Sequence, residues 1–124
     1  MKFTVLLVDD DAAIRSILRS VLELRGFDVT SCESATQARA VLAKSSFDLV
    51  LTDMRMETEK AGYEVVRSAK AASSTTIIVL LTAFPIPTSE WRSAGADALY
   101  MKGSGIFGAL DEIEQMVQTN HKPT

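Results

Sequence analysis

The sequence predicts an α/β fold, a doubly wound three-layer sandwich in which five strand–helix units build one parallel sheet with helices on both faces. Short apolar runs alternate with stretches whose apolar residues recur at helical spacing, and the connections between them are short. One run, residues 77–81, is apolar without alternation. Strands of a parallel sheet are covered on both faces and have this continuous pattern. Strand–helix alternation places the helices on both faces of the sheet.

The first strand–helix unit is bounded by clear turn and capping residues. Residues 3–8 form an apolar run that ends at three consecutive aspartates. Asp11 is a suitable N-cap for the helix that follows, because its side chain can accept hydrogen bonds from the first free N–H groups. Gly26 then indicates where this helix ends.

The remaining units follow in the same order. Ser34 and Gln37 have the spacing of a capping box at the start of the second helix. The predicted strands are residues 27–32, 49–52, 76–82 and 98–101. Two further helices are predicted at about residues 62–72 and 88–94, and one last helix carries an apolar face of Ile106, Leu110, Ile113 and Val117.

Length and composition indicate a single domain over residues 1–124, with residues 119–124 as a frayed tail. The net charge of −3 gives no case for a nucleic-acid or anionic-membrane surface. The longest apolar runs are too short to span a bilayer, and no secretion signal is recognisable. Because Cys32 is the only cysteine, a reducing cytoplasm is the expected location.

Charged and polar side chains end or directly follow four of the five predicted strands. Asp9 and Asp10 follow the first strand, Asp53 the third, Thr82 ends the fourth, and Lys102 follows the fifth. The carboxyl ends of neighbouring parallel strands converge where such sheets bind ligands. We therefore expect these side chains to share one crevice.

Such a crevice needs cations. Two like charges about 4 Å apart repel by about 4 kcal/mol at an effective dielectric of 20. Lys102 supplies one positive charge, and a hard divalent ion with oxygen ligands is the natural second. The sequence therefore predicts a Mg²⁺ site, with carboxylates and a phosphate as ligands.

In this ordered set of strand-end residues, the chain resembles the receiver domain of two-component response regulators. The resemblance covers almost the whole chain and implies a five-stranded parallel sheet in the order 2-1-3-4-5. It is carried by residues 8–11 (Val-Asp-Asp-Asp), 51–54 (Leu-Thr-Asp-Met), 81–83 (Leu-Thr-Ala), 95–97 (Gly-Ala-Asp) and Lys102.

The resemblance implies a role for each residue of the set. Asp53 would be the phosphoacceptor, Asp10 a direct metal ligand, and Asp9 a metal partner that acts largely through water. The backbone carbonyl of Arg55 would complete the protein ligands of Mg²⁺.

Two further residues would act on the phosphoryl group. By the same resemblance, the Thr82 hydroxyl would bond a phosphoryl oxygen and Lys102 would balance the phosphoryl charge. The implied donor is a sensor histidine kinase or a histidine phosphotransfer protein, and the output is an unknown downstream protein or effector domain. The chain would be a switch rather than a turnover enzyme, with no direct contact to nucleic acid or membrane.

Several positions depart from the family pattern. Leu99 stands where an aromatic residue is usual, and Tyr100 should face the other way because side chains alternate along a strand. Gly103 replaces the usual proline after the lysine. The loop after Asp53 is one residue longer before it reaches Gly62. These departures affect the linkage through the fourth helix and fifth strand by which the family usually transmits its output. They leave Asp53, Thr82 and Lys102 intact.

Two residues are predicted to flank the path of a water that attacks the phosphorylated Asp53. They are Arg55 and Phe84, the second residues after Asp53 and Thr82. Arg55 could pair with a phosphoryl oxygen or with Glu57, and Phe84 could occlude the path. The alternative is that both side chains simply lie in solvent.

Two other functions are compatible with parts of the sequence. An atypical receiver could act as an interaction module without phosphorylation, since Leu99 and Gly103 are unusual. A phosphatase of the haloacid-dehalogenase type also uses an Asp-x-Asp start such as that of residues 9–11, but Ala13 stands where threonine is expected and no cap domain fits.

Overall fold

The computed structural model describes residues 2–120 and contains five parallel strands with helices between them. The strands are β1 (Thr4–Val8), β2 (Asp28–Cys32), β3 (Leu49–Asp53), β4 (Ile77–Thr82) and β5 (Ala98–Met101). The helices are α1 (Ala12–Leu24), α2 (Ala35–Leu42), α3 (Ala61–Ala72), α4 (Thr88–Ala94), α5 (Ser104–Gly108) and α6 (Leu110–Asn120). The predicted α/β class is confirmed, and most boundaries agree within one residue.

The sheet has the order β2-β1-β3-β4-β5, as the family resemblance implied. All neighbouring strands pair in parallel, with Val8 opposite Thr52 across β1 and β3, and Asp53 opposite Leu81 across β3 and β4. The chain moves outward from β1 to β2 and then crosses to β3 on the other side of β1. This reversal of strand order opens a crevice at the carboxyl ends of β1 and β3.

Two apolar cores lie on opposite faces of the sheet. Leu6 and Val8 of β1 pack with α2, α3 and α4, whereas Val5 and Leu7 pack with α1, α5 and α6. Because both faces are covered, all four side chains are fully buried. This double coverage explains why the strands have continuous apolar sequences rather than alternating ones.

The predicted caps are present. The Asp11 carboxylate accepts hydrogen bonds from the N–H groups of Ala13 and Ile14 at 2.9 and 3.1 Å. The Ser34 hydroxyl accepts from Gln37 N–H at 3.0 Å, which caps α2. Across residues 2–120, none of the helices is long and apolar enough to cross a membrane.

The prediction of one continuous last helix was wrong. The segment is broken at Ala109, whose N–H bonds the Ile106 carbonyl at 3.1 Å in a tightened turn between α5 and α6. Gly105 and Gly108 weaken helix formation in α5, because glycine loses much backbone freedom in a helix. The predicted apolar face is nevertheless buried. Helix α6 continues to Asn120, two residues into the predicted frayed tail; residues 121–124 lie outside the described part of the chain.

Gly62 allows α3 to approach the end of β3. A Cβ atom at this position would lie 2.6 Å from the Asp53 carbonyl oxygen and 2.8 Å from the Met54 Cα. Both neighbours are backbone atoms that cannot move independently. Gly62→Ala should therefore destabilise the fold by about 3 kcal/mol, the upper range for overpacking.

Urea unfolding of both alanine variants measures this effect. Gly108→Ala is the matched control, because its added Cβ would meet no atom within 4 Å, and its stability should change by about 1 kcal/mol or less. Equal unfolding midpoints for the two variants would contradict the close approach at Gly62.

Candidate functional site

The crevice at the carboxyl ends of the strands gathers three aspartates and one lysine. Oxygen atoms of Asp9, Asp10 and Asp53, one from each carboxylate, all lie within 4.8 Å of one another. Asp9 and Asp53 are buried, and Asp10 is exposed at the mouth of the crevice. The structure thus brings together the acidic residues that the sequence placed at two different strand ends.

Asp9 is held in place by hydrogen bonds on both its side chain and its backbone. Its Oδ1 accepts from Asp11 N–H at 2.9 Å, and its own N–H donates to the Cys32 carbonyl at 3.1 Å. The Arg15 guanidinium donates to the Asp9 carbonyl at 2.8 Å. The sequence analysis did not identify Arg15, whose only signal was its place in the first turn of α1 beside the aspartates.

Lys102 bridges the two buried carboxylates. Its Nζ lies 2.8 Å from Asp53 Oδ2 and 3.2 Å from Asp9 Oδ2. The Lys102 N–H donates to the Thr82 carbonyl at 2.9 Å, which extends the β4–β5 pairing by one residue. The next residue, Gly103, has φ +86°, a conformation that glycine adopts far more readily than other residues. This glycine turn stands where the resembled family usually has proline. Residues 2–120 contain no cis peptide bond.

Burial and charge shift the pKa values of the two central groups. Burial raises the pKa of the Asp53 carboxyl; the hydrogen bond from Lys102 opposes this rise, and the charge of Asp9 adds to it. Burial also acts to lower the pKa of Lys102, but its hydrogen bond and ion pair with Asp53 outweigh that effect and raise it. Lys102 is therefore a permanent cation in the crevice, and Asp53 carries its negative charge at some cost.

The residues present fit a hard divalent cation. Asp9 Oδ2 is fully buried and, among the described residues, has no hydrogen-bond partner beyond its ion pair with Lys102. A buried carboxylate oxygen without a donor is costly. One ammonium cannot balance three carboxylates, and Mg²⁺ prefers oxygen ligands of this kind.

The Thr82 hydroxyl is buried but faces the following loop rather than the carboxylates. It donates to the Phe84 carbonyl at 2.8 Å and accepts from Phe84 N–H at 3.0 Å. These two bonds tie the end of β4 to the backbone of Phe84. A phosphoryl group that recruited this hydroxyl would have to compete with the loop for it.

Arg55 and Phe84, on the loops that follow β3 and β4, contact each other. The Arg55 guanidinium carbon lies 4.6 Å from the centroid of the Phe84 ring, a cation–π arrangement. Of the two partners suggested for Arg55, a phosphoryl oxygen or Glu57, the second is wrong, because Arg55 pairs with Glu59 at 3.2 Å. The Glu57 carboxylate is occupied by the N-terminus of α2 instead.

The predicted alternation along β5 is confirmed. Leu99 packs with the core that contains α3 and α4, whereas Tyr100 packs with the core that contains α6. The Tyr100 hydroxyl donates to the Glu112 carboxylate at 3.0 Å. No aromatic side chain therefore takes the place of Leu99 on the α4 side of β5.

Asp53→Asn should stabilise the protein when no metal is present. It removes one of three clustered negative charges, while Lys102 keeps its ion pair with Asp9. We expect a gain on the order of 1 kcal/mol at neutral pH, after solvent screening of the Coulomb repulsion. Asp28→Asn, an exposed aspartate on β2, is the control and should change stability little.

The pH dependence of this gain follows from the raised pKa of Asp53. A raised pKa means that the folded state loses stability as the pH rises from the ordinary carboxyl value of 3.8 through the folded-state value. The advantage of the variant should therefore be full at neutral pH, shrink as the pH falls through the raised folded-state pKa of Asp53, and be lost below pH 3.8. Thermal unfolding in a metal chelator measures it, and a destabilised variant at neutral pH would contradict the account.

The fold and the crevice define a class of small doubly wound α/β domains with an acidic site at the switch point of the sheet. The sequence matches the family model of the response regulator receiver domain over residues 5–104. The chain belongs to this family, and it is a receiver domain of a two-component response regulator.

Individual relatives agree with this assignment. The transcriptional regulatory protein ZraR of Salmonella typhimurium is 36% identical over 124 residues, which is 99% of this chain and 28% of ZraR. The regulatory protein VirG of Agrobacterium tumefaciens is 38% identical over 76 residues, 61% of this chain and 28% of VirG. The chain thus spans little more than a quarter of the length of these relatives.

A solved structure matches over nearly all of both chains. The response regulator protein TrrA of Thermotoga maritima, solved in complex with Mg²⁺–BeF, has a TM-score of 0.79 and 26% identity, covering 94% of this chain and 99% of TrrA. Receiver domains bind Mg²⁺ at an acidic site and interact with histidine kinases or phosphotransfer proteins.

Proposed function

We propose that Asp53 accepts a phosphoryl group from a phosphohistidine on a sensor histidine kinase or a histidine phosphotransfer protein. An Asp53 oxygen forms the new O–P bond while the P–N bond of the donor breaks and the imidazole leaves. Lys102 Nζ, 2.8 Å from Asp53 Oδ2, offsets the charge on the oxygens of the transferred group. The Thr82 hydroxyl bonds one of those oxygens after it leaves the Phe84 loop.

Asp10, Asp53 and the Arg55 carbonyl would hold Mg²⁺, and Asp9 would complete the acidic site beside them. Bound Mg²⁺ neutralises negative charge on the phosphoryl oxygens and so favours transfer between two anionic groups. The buried Asp9 Oδ2, whose one described partner is the ion pair with Lys102, and the three clustered carboxylates support this site. The magnesium complex of TrrA supports it as well.

The observation that carries the proposal is the position of Lys102 between Asp53 and Asp9. An interaction module that had lost phosphorylation would have no need to keep a lysine and three carboxylates converged in one crevice. Incubation with acetyl phosphate and Mg²⁺, followed by intact-mass measurement, tests the proposal. One phosphoryl group per chain is expected with Mg²⁺ and none with a chelator; no uptake under either condition would refute it.

Residues 1–124 would act as a single receiver domain that switches a protein-interaction surface, not as a turnover enzyme. The kinases and phosphotransfer proteins that would donate the phosphoryl group act in the cytoplasm, which is the location we propose. The output is a downstream protein or an effector domain, reached through protein contacts rather than through direct binding of nucleic acid or membrane by this domain.

Asp10→Asn should weaken Mg²⁺ binding about tenfold, which corresponds to about 1.4 kcal/mol, because it removes the charge of a direct ligand. Asp11→Asn is the matched control, since it removes the same charge one residue later and asparagine is an equally good N-cap for α1. Isothermal titration with Mg²⁺ gives both affinities. Equal affinities for the two variants would remove Asp10 from the ligand set.

A further inference from the structure

Glu57 ties the loop between β3 and α3 to a different helix. Its two carboxylate oxygens accept hydrogen bonds from Ala35 N–H at 2.8 Å, from Thr36 N–H at 2.8 Å and from the Thr36 hydroxyl at 2.9 Å. Both partners belong to the first turn of α2, more than twenty residues earlier in the chain. The loop and α2 are therefore joined by three charge-assisted hydrogen bonds.

These bonds complete the N-terminus of α2. The first N–H groups of a helix have no partner within it. In α2, the Ser34 hydroxyl takes Gln37 N–H and the Ser34 carbonyl takes Ala38 N–H. The N–H groups of Ala35 and Thr36 remain, and Glu57 accepts both. The first turn of α2 has no acidic residue of its own, so Glu57 also supplies the negative charge that a helix N-terminus favours.

The rest of the loop contacts its own residues, the strand ends and Phe84, on which Arg55 packs at 4.6 Å. At its ends, Met54 N–H donates to the Leu81 carbonyl and Gly62 N–H donates to the Met54 carbonyl. Within it, Met56 N–H bonds the Thr58 carbonyl, and the Arg55–Glu59 ion pair is exposed. The Thr58 and Lys60 carbonyls accept from Ala61 and Tyr63 N–H in the adjacent α3. Of the hydrogen bonds described for residues 55–60, those of Glu57 alone reach α2.

We propose that Glu57 is a positioning residue for the metal site: by binding the N-terminus of α2, it holds the β3–α3 loop so that the Arg55 carbonyl can serve as a ligand. This inference rests on the proposed function, because it assumes that Arg55 contributes to Mg²⁺ binding. Glu57 lies two residues after Arg55, so the backbone has little freedom between the anchor and the ligand. Mg²⁺ binding should in turn stabilise the first turn of α2.

Hydrogen bonding to α2 keeps the Glu57 carboxylate in its charged form. Burial acts to raise the pKa of Glu57, but the hydrogen bonds from Ala35 and Thr36 outweigh it and lower the pKa to about 2. The carboxylate therefore stays charged, and the anchor does not open by protonation near neutral pH.

Isothermal titration with Mg²⁺ tests the inference in Glu57→Ala and Glu57→Gln. Glu57→Ala should raise the Mg²⁺ dissociation constant about tenfold, the lower range for residues that orient metal ligands. Glu57→Gln keeps one oxygen acceptor and should have an intermediate effect. Glu59→Gln is the matched control on the same loop and should bind Mg²⁺ like the wild type.

Two further measurements separate positioning from a general loss of structure. At saturating Mg²⁺, the rate of phosphoryl uptake from acetyl phosphate should return to the wild-type value in Glu57→Ala, because Asp53 and Lys102 are untouched. Mg²⁺ should also slow hydrogen exchange at the amides of Ala35 and Thr36 in the wild type and not in Glu57→Ala.

Thr36→Val supplies a variant at the other end of the contact. It removes one of the three hydrogen bonds and leaves the loop sequence intact, so it should weaken Mg²⁺ binding about threefold even if Glu57→Ala fails to fold. Wild-type Mg²⁺ affinity in Glu57→Gln and Thr36→Val would overturn the role of Glu57 while leaving the proposed function standing. A wild-type protein that neither binds Mg²⁺ nor takes up phosphoryl groups would overturn both.

Discussion

Lys102→Met should reduce the rate of phosphoryl uptake from acetyl phosphate by about 10² to 10³, the usual effect of removing one preorganised donor from a site where charge develops. The Lys102 ammonium is the cation that contacts both Asp53 and Asp9. Methionine keeps the length and apolar stem of the side chain but has no charge. Mg²⁺ affinity should stay the same or rise, because the carboxylates lose a competing cation.

This separation of rate from metal affinity distinguishes a role in transfer from a collapse of the site. Lys70→Met is the control, since Lys70 pairs with Asp97 at 3.9 Å and bonds the Thr76 carbonyl near the opposite end of β4. The rate of phosphoryl uptake is measured by intact mass in samples quenched at successive times at saturating Mg²⁺. Uptake by Lys102→Met within threefold of the wild-type rate would show that the lysine is not part of the transfer chemistry.

Phe84→Ala and Arg55→Ala should each shorten the lifetime of the phosphorylated protein about tenfold, or about 1.4 kcal/mol of barrier. The two side chains contact each other on the loops that follow Asp53 and Thr82, and we expect a water in line with the new O–P bond to pass between these loops. Phe84 cannot orient a water, and the Arg55 guanidinium cannot act as a base at neutral pH. Their contact should therefore slow hydrolysis.

The double variant tests whether the pair acts as one barrier. If the stacked contact itself obstructs the water, Phe84→Ala and Arg55→Ala together should decay about as fast as either alone. Phe107→Ala, another exposed aromatic residue, on α5, is the control and should decay like the wild type. Decay is measured by intact mass after removal of the donor, and equal lifetimes in all variants would rule out a barrier at this position.

Much of the fold could be predicted because local signals and burial agree. The continuous apolar sequence of residues 77–81 reflects a strand covered on both faces, and Asp11 and Ser34 cap their helices with their own side chains. The break at Ala109 could not be predicted from periodicity, because Ile106 and Leu110 keep the same buried face on either side of it. A pattern of apolar residues reports the face of a helix, not its continuity.

The convergence of Asp9, Asp53 and Lys102 followed from the strand ends, because parallel strands bring their carboxyl ends to one edge. The orientation of the Thr82 hydroxyl did not follow, since it depends on the backbone of the loop at Phe84.

The partner of Glu57 could not be predicted for a different reason. Its hydrogen-bond donors lie in α2, and no local spacing links them to the loop. The family resemblance supplied the roles of single residues, whereas the contacts that hold those residues in place needed the structure.

The most direct measurement is the identity of the phosphorylated residue. The protein is incubated with acetyl phosphate and Mg²⁺, the acyl phosphate is trapped by borohydride reduction, and the modified peptide is mapped by mass spectrometry in the wild type and in Asp53→Asn. We expect modification at Asp53 alone in the wild type and none in the variant. Modification of the wild type at Asp9 or Asp10, or equal uptake by Asp53→Asn, would contradict it.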